Sequence, residues 1–338
     1  MPLAMDIFND EAFGVAELTA AINNPPEGER VSNLIDSLFE EEGIPTTHVM
    51  IERKGDNLSL VPTADRGAPG DVTNLGGRDL IPFNTVHLPT QWSVMADEVL
   101  GVRAFGKVTE LEMLQDRVNA KLAKARRRLE ITLSYHRLGA LTGKVLDADG
   151  QSELLNLFER FQMQQQVQPL DLLNTSSDAP LKKKIKDAIR MSEDALTGET
   201  ISGWMAICGR GFYDALGENK AIKTSFDRWN DGQFFREQQN GGFRWGDVEW
   251  KEYYSKVGGI EFIGADDAYL IPLGVSELFI TRFAPANYVE TVGTNGLPYY
   301  AKQELMPFGK GVRGEAQSNP LNLCTKPRAI IKLKKGNS

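Results

Sequence analysis

The chain has 338 residues, a formal net charge of −8, 41% hydrophobic residues and 25% charged residues. These proportions exclude a disordered tail, a collagen-like chain and a disulfide scaffold, and the length allows about two domains at ~150 residues each. The acidic balance disfavours a protein that neutralises phosphates over a broad basic face. No stretch approaches the ~18 uncharged apolar residues of a membrane span, and the start of the chain lacks a secretory signal. We therefore expect a soluble intracellular chain.

Residues 1–46 contain two short helical patterns that are interrupted by helix breakers. The first covers residues 13–22 and ends at Pro25 and Pro26, and the second covers residues 31–41 and ends at Gly43. Helices this short cannot bury their own apolar faces. We therefore predict an N-terminal arm over residues 1–46 that lies across another surface.

Residues 47–90 have the pattern of an extended hairpin. Alternating residues at 48–52 lead into a turn at 54–57, and a second limb follows at 58–61. Glycine and proline then recur from Pro62 to Pro82, before a further strand predicted over residues 79–88. A long two-stranded loop that projects from the body accounts for this pattern better than a closed domain does.

The strongest periodic signal predicts one long amphipathic helix over about residues 109–138. Thr109 and Glu112 match a capping box, and Gly139 and Gly143 offer its end. The positions of its predicted buried stripe recur every three or four residues, at Leu111, Leu114, Val118, Leu122, Ala125, Leu129 and Thr132. Its other face is predicted to carry basic side chains, at Arg117, Lys121, Lys124, Arg126, Arg127 and Arg128. That face is either solvated or a contact surface between subunits.

The remaining chain mixes helices and strands without regular alternation, which predicts an α+β fold. An Asp-Gly hairpin turn is expected at residues 145–150, with a return strand through residues 155–161. Helices are expected at 178–196, 212–216 and 221–229. Strands are expected at 204–208, 245–254, 259–263, 268–271, 278–283 and 329–333.

Residues that carry chemistry are scarce, and each candidate has a structural explanation. The three histidines, His48, His87 and His136, have no metal-ligand spacing to one another. Asp147 and Asp149 lack the glycine and glutamate that a calcium loop requires, which favours a turn. Asp266-Asp267 and Gly209-Arg210-Gly211 are also predicted to form turns. For Gly209-Arg210-Gly211, an anion-binding site is the alternative.

Two further residue groups are predicted to be structural. Cys208 and Cys324 lie too far apart for a CxxC site, so we expect two buried thiols. The aromatic residues of the last third favour a core and an inter-subunit surface over stacking on nucleic acid, because acidic residues are interspersed among them. They are Trp229, Phe234, Phe235, Phe243, Trp245, Trp250, Tyr253, Tyr254, Tyr299 and Tyr300. We predict no catalytic, cofactor-binding or metal-ligating residue, no cofactor and no enzymatic activity.

Several segments resemble one known family in the expected order along nearly the whole chain. They are residues 18–23 (LTAAIN), 97–106 (DEVLGVRAFG), 126–130 (RRRLE), 145–150 (VLDADG), 279–286 (FITRFAPA), 297–302 (LPYYAK) and 315–320 (EAQSNP). Together they are similar to the major capsid proteins of lambda-like tailed phages, the E-type coat proteins. The resemblance implies the Hong Kong 97 type fold shared by tailed-phage and herpesvirus capsids.

The resemblance also implies a domain plan. Residues 1–46 would be the N-terminal arm, 47–90 the extended loop, 91–175 the peripheral domain with its spine helix, 176–318 the axial domain, and 319–338 a C-terminal strand returning to the peripheral domain.

The function implied is that of a structural virion protein. It would form hexamers and pentamers of an icosahedral head that encloses double-stranded DNA without sequence-specific contacts, assembled in the host cytoplasm. Separate scaffolding and portal proteins are expected, with a decoration protein left open. The alternatives are an encapsulin-like compartment shell, a hydrolase using Asp147 and Asp149, and a monomeric nucleic-acid-binding module.

Overall fold

The structure is a computed structural model that describes residues 14–24, 34–53, 79–95, 98, 110–173, 179–196, 198–228, 242–253, 256–257 and 260–336. Its α-helices are α1 (Val15–Asn23), α2 (Glu110–Thr142), α3 (Leu157–Arg160), α4 (Ala179–Ala195), α5 (Arg210–Glu218) and α6 (Lys220–Arg228). The first strands are β1 (Glu40–Gly43), β2 (His48–Arg53), β3 (Asp79–Asn84), β4 (Leu88–Met95), β5 (Lys144–Leu146), β6 (Glu153–Asn156), β7 (Val167–Pro169), β8 (Gly203–Cys208) and β9 (Gly242–Trp245). The later strands are β10 (Val248–Glu252), β11 (Lys256–Val257), β12 (Ile260–Glu261), β13 (Asp267–Leu273), β14 (Phe279–Phe283), β15 (Tyr300–Leu305), β16 (Gly311–Ser318), β17 (Pro320–Cys324) and β18 (Ile331–Lys334). Helices and sheets are mixed, and the predicted α+β class is confirmed.

Backbone contacts divide the chain into two compact units. The first unit comprises residues 1–51, 82–137 and 279–323, and the second comprises 52–81, 138–278 and 324–338. The first unit contains two three-stranded sheets, in the orders β1-β14-β17 and β15-β16-β4. The second contains a six-stranded sheet in the order β7-β18-β13-β8-β10-β9.

The predicted spine helix is α2, which extends to Thr142, four residues beyond the expected end. Gly139 lies inside the helix, and the helix ends at Gly143, whose φ of +95° is accessible mainly to glycine. At ~1.5 Å per residue its 33 residues span about 50 Å. Its predicted cap residue, Thr109, lies outside the described residues.

The core of the first unit forms where the apolar stripe of α2 meets α1 and the β15-β16-β4 sheet. Helix α2 contributes Val118, Leu122, Ala125 and Leu129, all buried. The residues that pack against this stripe are Leu18, Ile22, Val94, Tyr299, Ala301 and Ala316. The stripe predicted by periodicity is therefore buried from Val118 to Leu129, whereas its last predicted position, Thr132, is half-buried.

The core of the second unit lies between the six-stranded sheet and helices α4, α5 and α6. Strand β8 lies inside the sheet, parallel to β10 and antiparallel to β13, and its residues from Trp204 to Cys208 are all buried. An uninterrupted apolar strand is what a position inside a covered sheet requires. Helix α4 buries Leu181, Ile185, Ala188 and Ile189 in this core.

The helix predicted over residues 31–41 is wrong in its described part. Residues 36–38 form a single 3-10 turn, and β1 follows at Glu40, parallel to β14. Pairing with β14 satisfies the backbone of this segment, while Ile35 and Phe39 are buried individually rather than along a helical stripe. Tertiary pairing here overrides the local helical pattern.

The hairpin expectations are met in part. Strands β2 and β3 pair with each other in a two-stranded sheet, whereas the predicted turn and second limb at residues 54–61 lie outside the described residues. Strands β5 and β6 form the predicted hairpin around the Asp-Gly turn, but the return limb changes into α3 at Leu157.

The two units group the chain differently from the predicted domain plan. Residues 279–323, expected in the axial domain up to 318, share the first unit with most of α2. Strand β18 pairs with β13 and β7 in the six-stranded sheet, because this position buries Ile331 and Leu333. The described parts of the predicted arm, α1 and β1, pack on their own unit. Which unit is peripheral and which is axial stays a prediction.

Candidate assembly surfaces

The N-terminal helix is anchored to α2 by a buried arginine. Arg126 donates from Nε to Glu130 Oε1 at 2.7 Å and from Nη1 to the carbonyl of Ile22 in α1, and its guanidinium lies 5.3 Å from the centre of the Tyr299 ring. Burial raises the pKa of Tyr299, and the Glu130 carboxylate adds to the rise. The prediction that Arg126 lies on the outer, basic face of the helix is wrong, because its side chain ties α1 to α2.

A second arginine anchors residues 36–41. Arg137 donates from Nη1 to Asp36 Oδ1 at 3.0 Å, from Nη2 to Glu41, and from Nε to the Thr281 hydroxyl at 3.2 Å. Only 4% of its side chain is exposed, and its guanidinium lies 5.5 Å from the centre of the Phe39 ring. One planar group with several donors can serve these partners together, which a lysine cannot. Arg137 therefore joins α2, β1 and β14 within the first unit.

The exposed face of α2 keeps the rest of the predicted basic character. Arg117, Lys124, Arg127 and Arg128 are exposed, and Lys121 is half-buried. A solvated face and an inter-subunit contact both remain compatible with this arrangement.

The first unit exposes large apolar side chains at two loops. Phe308, in the turn between β15 and β16, is 92% exposed and has a φ of +64°, a conformation that bulky residues rarely adopt. Val289 and Val292, in the loop after β14, are 87% and 80% exposed. Single exposed apolar residues are ordinary, but Phe308 combines nearly full exposure with a strained backbone conformation.

The β2-β3 hairpin also exposes apolar side chains. Met50 in β2 and Leu80 in β3 are each about half exposed. They lie on the two strands that lead into and out of the predicted projecting loop, whose residues 54–78 are outside the described part.

The residues weighed for chemistry have structural roles. Asp149 accepts hydrogen bonds from the Ser152 hydroxyl and from the backbone N–H groups of Gln151 and Ser152, and these bonds lower the pKa of its carboxyl. Gly209 precedes α5, where a side chain would lie 2.2 Å from the Gly264 carbonyl oxygen, so a tight turn explains this glycine.

The other weighed residues are engaged within the described structure. Asp267 and Asp266 pair with Lys332 and Lys335 at 2.7 and 3.1 Å. Among the described residues, no group of three or more metal-ligating side chains could hold an ion. In the same residues, no helix is both long and apolar enough to cross a bilayer.

The thiols and described aromatic residues are buried, as predicted. Cys208 and Cys324 are buried and free, and burial raises the pKa of Cys324 to about 12 and that of Cys208 well above its usual value. The buried aromatic residues are Phe243, Trp245, Trp250, Tyr253, Tyr299 and Tyr300. Trp229, Phe234, Phe235 and Tyr254 lie outside the described residues.

Solved structures that resemble the chain over most of its length are capsid proteins. A putative capsid protein of a prophage from E. coli CFT073 is 14% identical and superposes with a TM-score of 0.58, covering 95% of this chain and 98% of that chain. The capsid of cyanophage P-SCSP1u is 10% identical and superposes with a TM-score of 0.52, covering 93% of each chain. The class is therefore that of proteins with the tailed-phage capsid fold, the predicted Hong Kong 97 type.

The sequence comparisons give the family. Residues 14–335 match the family "Phage major capsid protein E", and the chain belongs to it. The major capsid protein of Salmonella phage Felix O1 is 26% identical, covering 94% of this chain and 95% of the relative. That of Pseudomonas phage KPP10 is 25% identical, covering 84% and 86%. The chain is thus a structural capsid shell protein, and the encapsulin-like alternative is not favoured.

Proposed function

We propose that the chain forms hexamers and pentamers that close into an icosahedral head around double-stranded DNA. The observation that carries the proposal is the family match over residues 14–335, supported by two major capsid proteins of phages that align with most of the chain. A closed shell of identical chains needs heterologous contacts, in which one surface of a subunit binds a different surface of its neighbour.

The exposed apolar side chains are suited to such contacts. Phe308 on one loop and the Val289 and Val292 pair on another are different surfaces of the same unit. Met50 and Leu80 are further exposed apolar side chains, one on each strand of the hairpin proposed to reach a neighbouring subunit. Each contact is small, but a shell engages all of them at once, so that modest contacts become hard to reverse.

The proposal extends to partners, location and chemistry. Separate scaffolding and portal proteins would act in the host cytoplasm, and the finished chain would reside in the virion. A net charge of −8 supports a container that holds DNA without sequence-specific contacts, since a strongly basic lining would retain phosphates and slow packaging. The subunit would act by geometry and not as an enzyme.

The test is electron microscopy of the purified protein in negative stain, together with sedimentation. Closed round particles, tubes or rings are expected. A chain that sediments as a monomer at high concentration would contradict the proposal, and salt-sensitive DNA binding by that monomer would favour the nucleic-acid-binding alternative. Enzyme cargo in place of DNA in particles from infected cells would favour the encapsulin-like alternative.

A deletion variant tests the projecting loop separately. Removing residues 62–77 leaves β2 and β3 joined by enough chain to pair, so the subunit is expected to fold and remain in solution. It is expected not to form closed shells. Normal shells from this variant would refute the role of the loop and leave the shell function standing.

A further inference from the structure

Helix α4 in the second unit carries a separated pattern of charge on its exposed face. Lys182, Lys183 and Lys186 lie exposed in its first half. Glu193 and Asp194 lie exposed in its last turn. Lys182, Lys186 and Glu193 are spaced by four and seven residues, which places both signs of charge along one side of the helix.

This pattern opposes the one that stabilises an isolated helix. The N-terminal end of a helix carries partial positive charge and favours acidic residues, whereas the C-terminal end favours basic residues. Helix α4 has no acidic residue in its first turn, no basic residue in its last turn, and two acidic residues in that last turn. The arrangement therefore does not stabilise the helix through its dipole.

The middle of the helix separates the two charged ends. Arg190 and Asp187 pair with each other at 3.3 Å, so the central surface is close to neutral. The lysine end and the acidic end are about 16 Å apart, given ~1.5 Å per residue.

The charges are carried on a rigid support. The adjoining side of the helix buries Leu181, Ile185, Ala188 and Ile189 in the core of the second unit. At the lysine end, Lys182 Nζ lies 5.8 Å from the centre of the Trp245 ring, which limits the positions that this ammonium adopts.

We propose that α4 is a contact surface between copies of this chain, with the lysine end of one copy against the acidic end of the next. This inference rests on the proposed self-assembly. The occupant is a second copy because the surface is complementary to itself: whatever binds the lysine end must be acidic, and the same helix presents an acidic cluster on a rigid support. Contacts of this kind select register and partner more than they add affinity.

Charge reversal tests the contact. The acid variant carries Lys182→Glu, Lys183→Glu and Lys186→Glu, and the base variant carries Glu193→Lys and Asp194→Lys. Alone, each is expected to need at least about tenfold more protein than the wild type to assemble, because like charges now face each other. An equimolar mixture is expected to recover assembly, since each variant supplies the end that the other lacks.

A variant with all five changes tests the same idea in one chain. Its ends are complementary again, so it is expected to assemble by itself within about threefold of the wild-type concentration, yet to be excluded from wild-type particles. Its charges now agree with the helix dipole, so the unassembled subunit is expected to melt no lower than the wild type. The matched control, Asp187→Arg with Arg190→Asp, keeps the central pair and is expected to assemble as the wild type does.

The outcomes separate this contact from the shell function. Wild-type shells together with normal assembly of the acid and base variants would overturn the α4 contact alone. Folded variants that fail both alone and in the mixture would also overturn it. If the triple or double variant does not fold, two other measurements decide. Glu193→Lys alone is expected to weaken assembly, and so is raising the salt from about 0.05 to 0.5 M NaCl for the wild type, because salt screens the contact. Assembly that neither change weakens would overturn the contact. Absence of any wild-type assembly would overturn the proposed function and the contact together.

Discussion

Replacing Arg137 by methionine tests whether its guanidinium holds residues 36–41 on the first unit. Methionine keeps much of the aliphatic stem but removes every donor to Asp36, Glu41 and Thr281. The Glu41 side chain is 48% exposed and can be rehydrated, so its lost pair costs about 0–1 kcal/mol. The Asp36 side chain is 17% exposed and keeps its hydrogen bond from the Ser134 hydroxyl. It loses the charged donor of Arg137 in a half-buried setting, and this loss costs about 2–3 kcal/mol of unfolding free energy.

The total of about 3 kcal/mol is a large part of a typical unfolding free energy of about 5–15 kcal/mol. It corresponds to a melting temperature lower by roughly 6–12 °C in a domain of about 150–250 residues. Thermal melting of the unassembled subunit measures this change. Hydrogen exchange of residues 36–44 gives a local readout, because opening of this segment is expected to become faster than opening of the β15-β16-β4 sheet.

A double-mutant cycle of Arg137→Met with Asp36→Ala isolates the pair. We expect a coupling free energy of about 2 kcal/mol, as for a charge-assisted hydrogen bond with little exposure. Arg137→Lys is expected to recover less than half of the loss, because a single ammonium cannot reach three acceptors. A coupling below about 0.5 kcal/mol, or full recovery by lysine, would refute this account of the anchor.

Three further predictions concern separate features of the chain. Gly296→Ala places a Cβ 1.9 Å from the Phe283 carbonyl oxygen, so chemical denaturation should show an unfolding free energy lower by at least about 2 kcal/mol. The control is Gly217→Ala in α5, where a Cβ meets open space, and it should raise the unfolding free energy by about 0.5–1 kcal/mol. Phe308→Asn should raise the melting temperature of the subunit, because asparagine tolerates positive φ better, while weakening assembly; unchanged assembly would remove Phe308 from the contacts. Burial raises the pKa of Cys324 to about 12, so this thiol stays protonated in the folded chain when the unfolded thiol ionises near pH 9. Its contribution should lower the stability by about 1.4 kcal/mol per pH unit between these values. Cys324→Ala should remove this contribution and leave that of Cys208, whose pKa is also raised by burial. A thiol reagent that labels Cys324 in the folded chain at pH 8 would contradict the burial on which this last prediction depends.

Features encoded by local pattern could be predicted from the sequence. The spacing of Val118, Leu122, Ala125 and Leu129 specifies a buried stripe whatever the partner is, because helical period and burial are properties of the segment itself. The turn at Asp147–Gly150 likewise follows from short-range chemistry, in which Asp149 binds its own backbone neighbours. The absence of a recognisable catalytic constellation, read with the family resemblance, directed the functional hypothesis towards a shell.

What periodicity could not supply is the identity of long-range partners. Arg126 belongs to a run of three arginines and has the pattern of a solvated residue, yet its partner is a carbonyl 104 positions earlier in the chain. Residues 36–41 have a helical pattern, but they form a 3-10 turn and then enter strand β1 at Glu40, since β14 offers a paired edge. The C-terminal strand was predicted to return to the peripheral domain, but its individual partners were not predicted; the structure pairs β18 with β13 and β7 in the six-stranded sheet.

The sequence by itself determined the long spine helix, the stripe of it that is buried and the Asp-Gly turn, because these depend on neighbours a few residues away. Only the tertiary structure decided which arginines serve as anchors and where the C-terminal strand pairs. Those outcomes depend on segments that lie far apart in the chain, and the free energy of such contacts leaves no periodic trace in either segment alone.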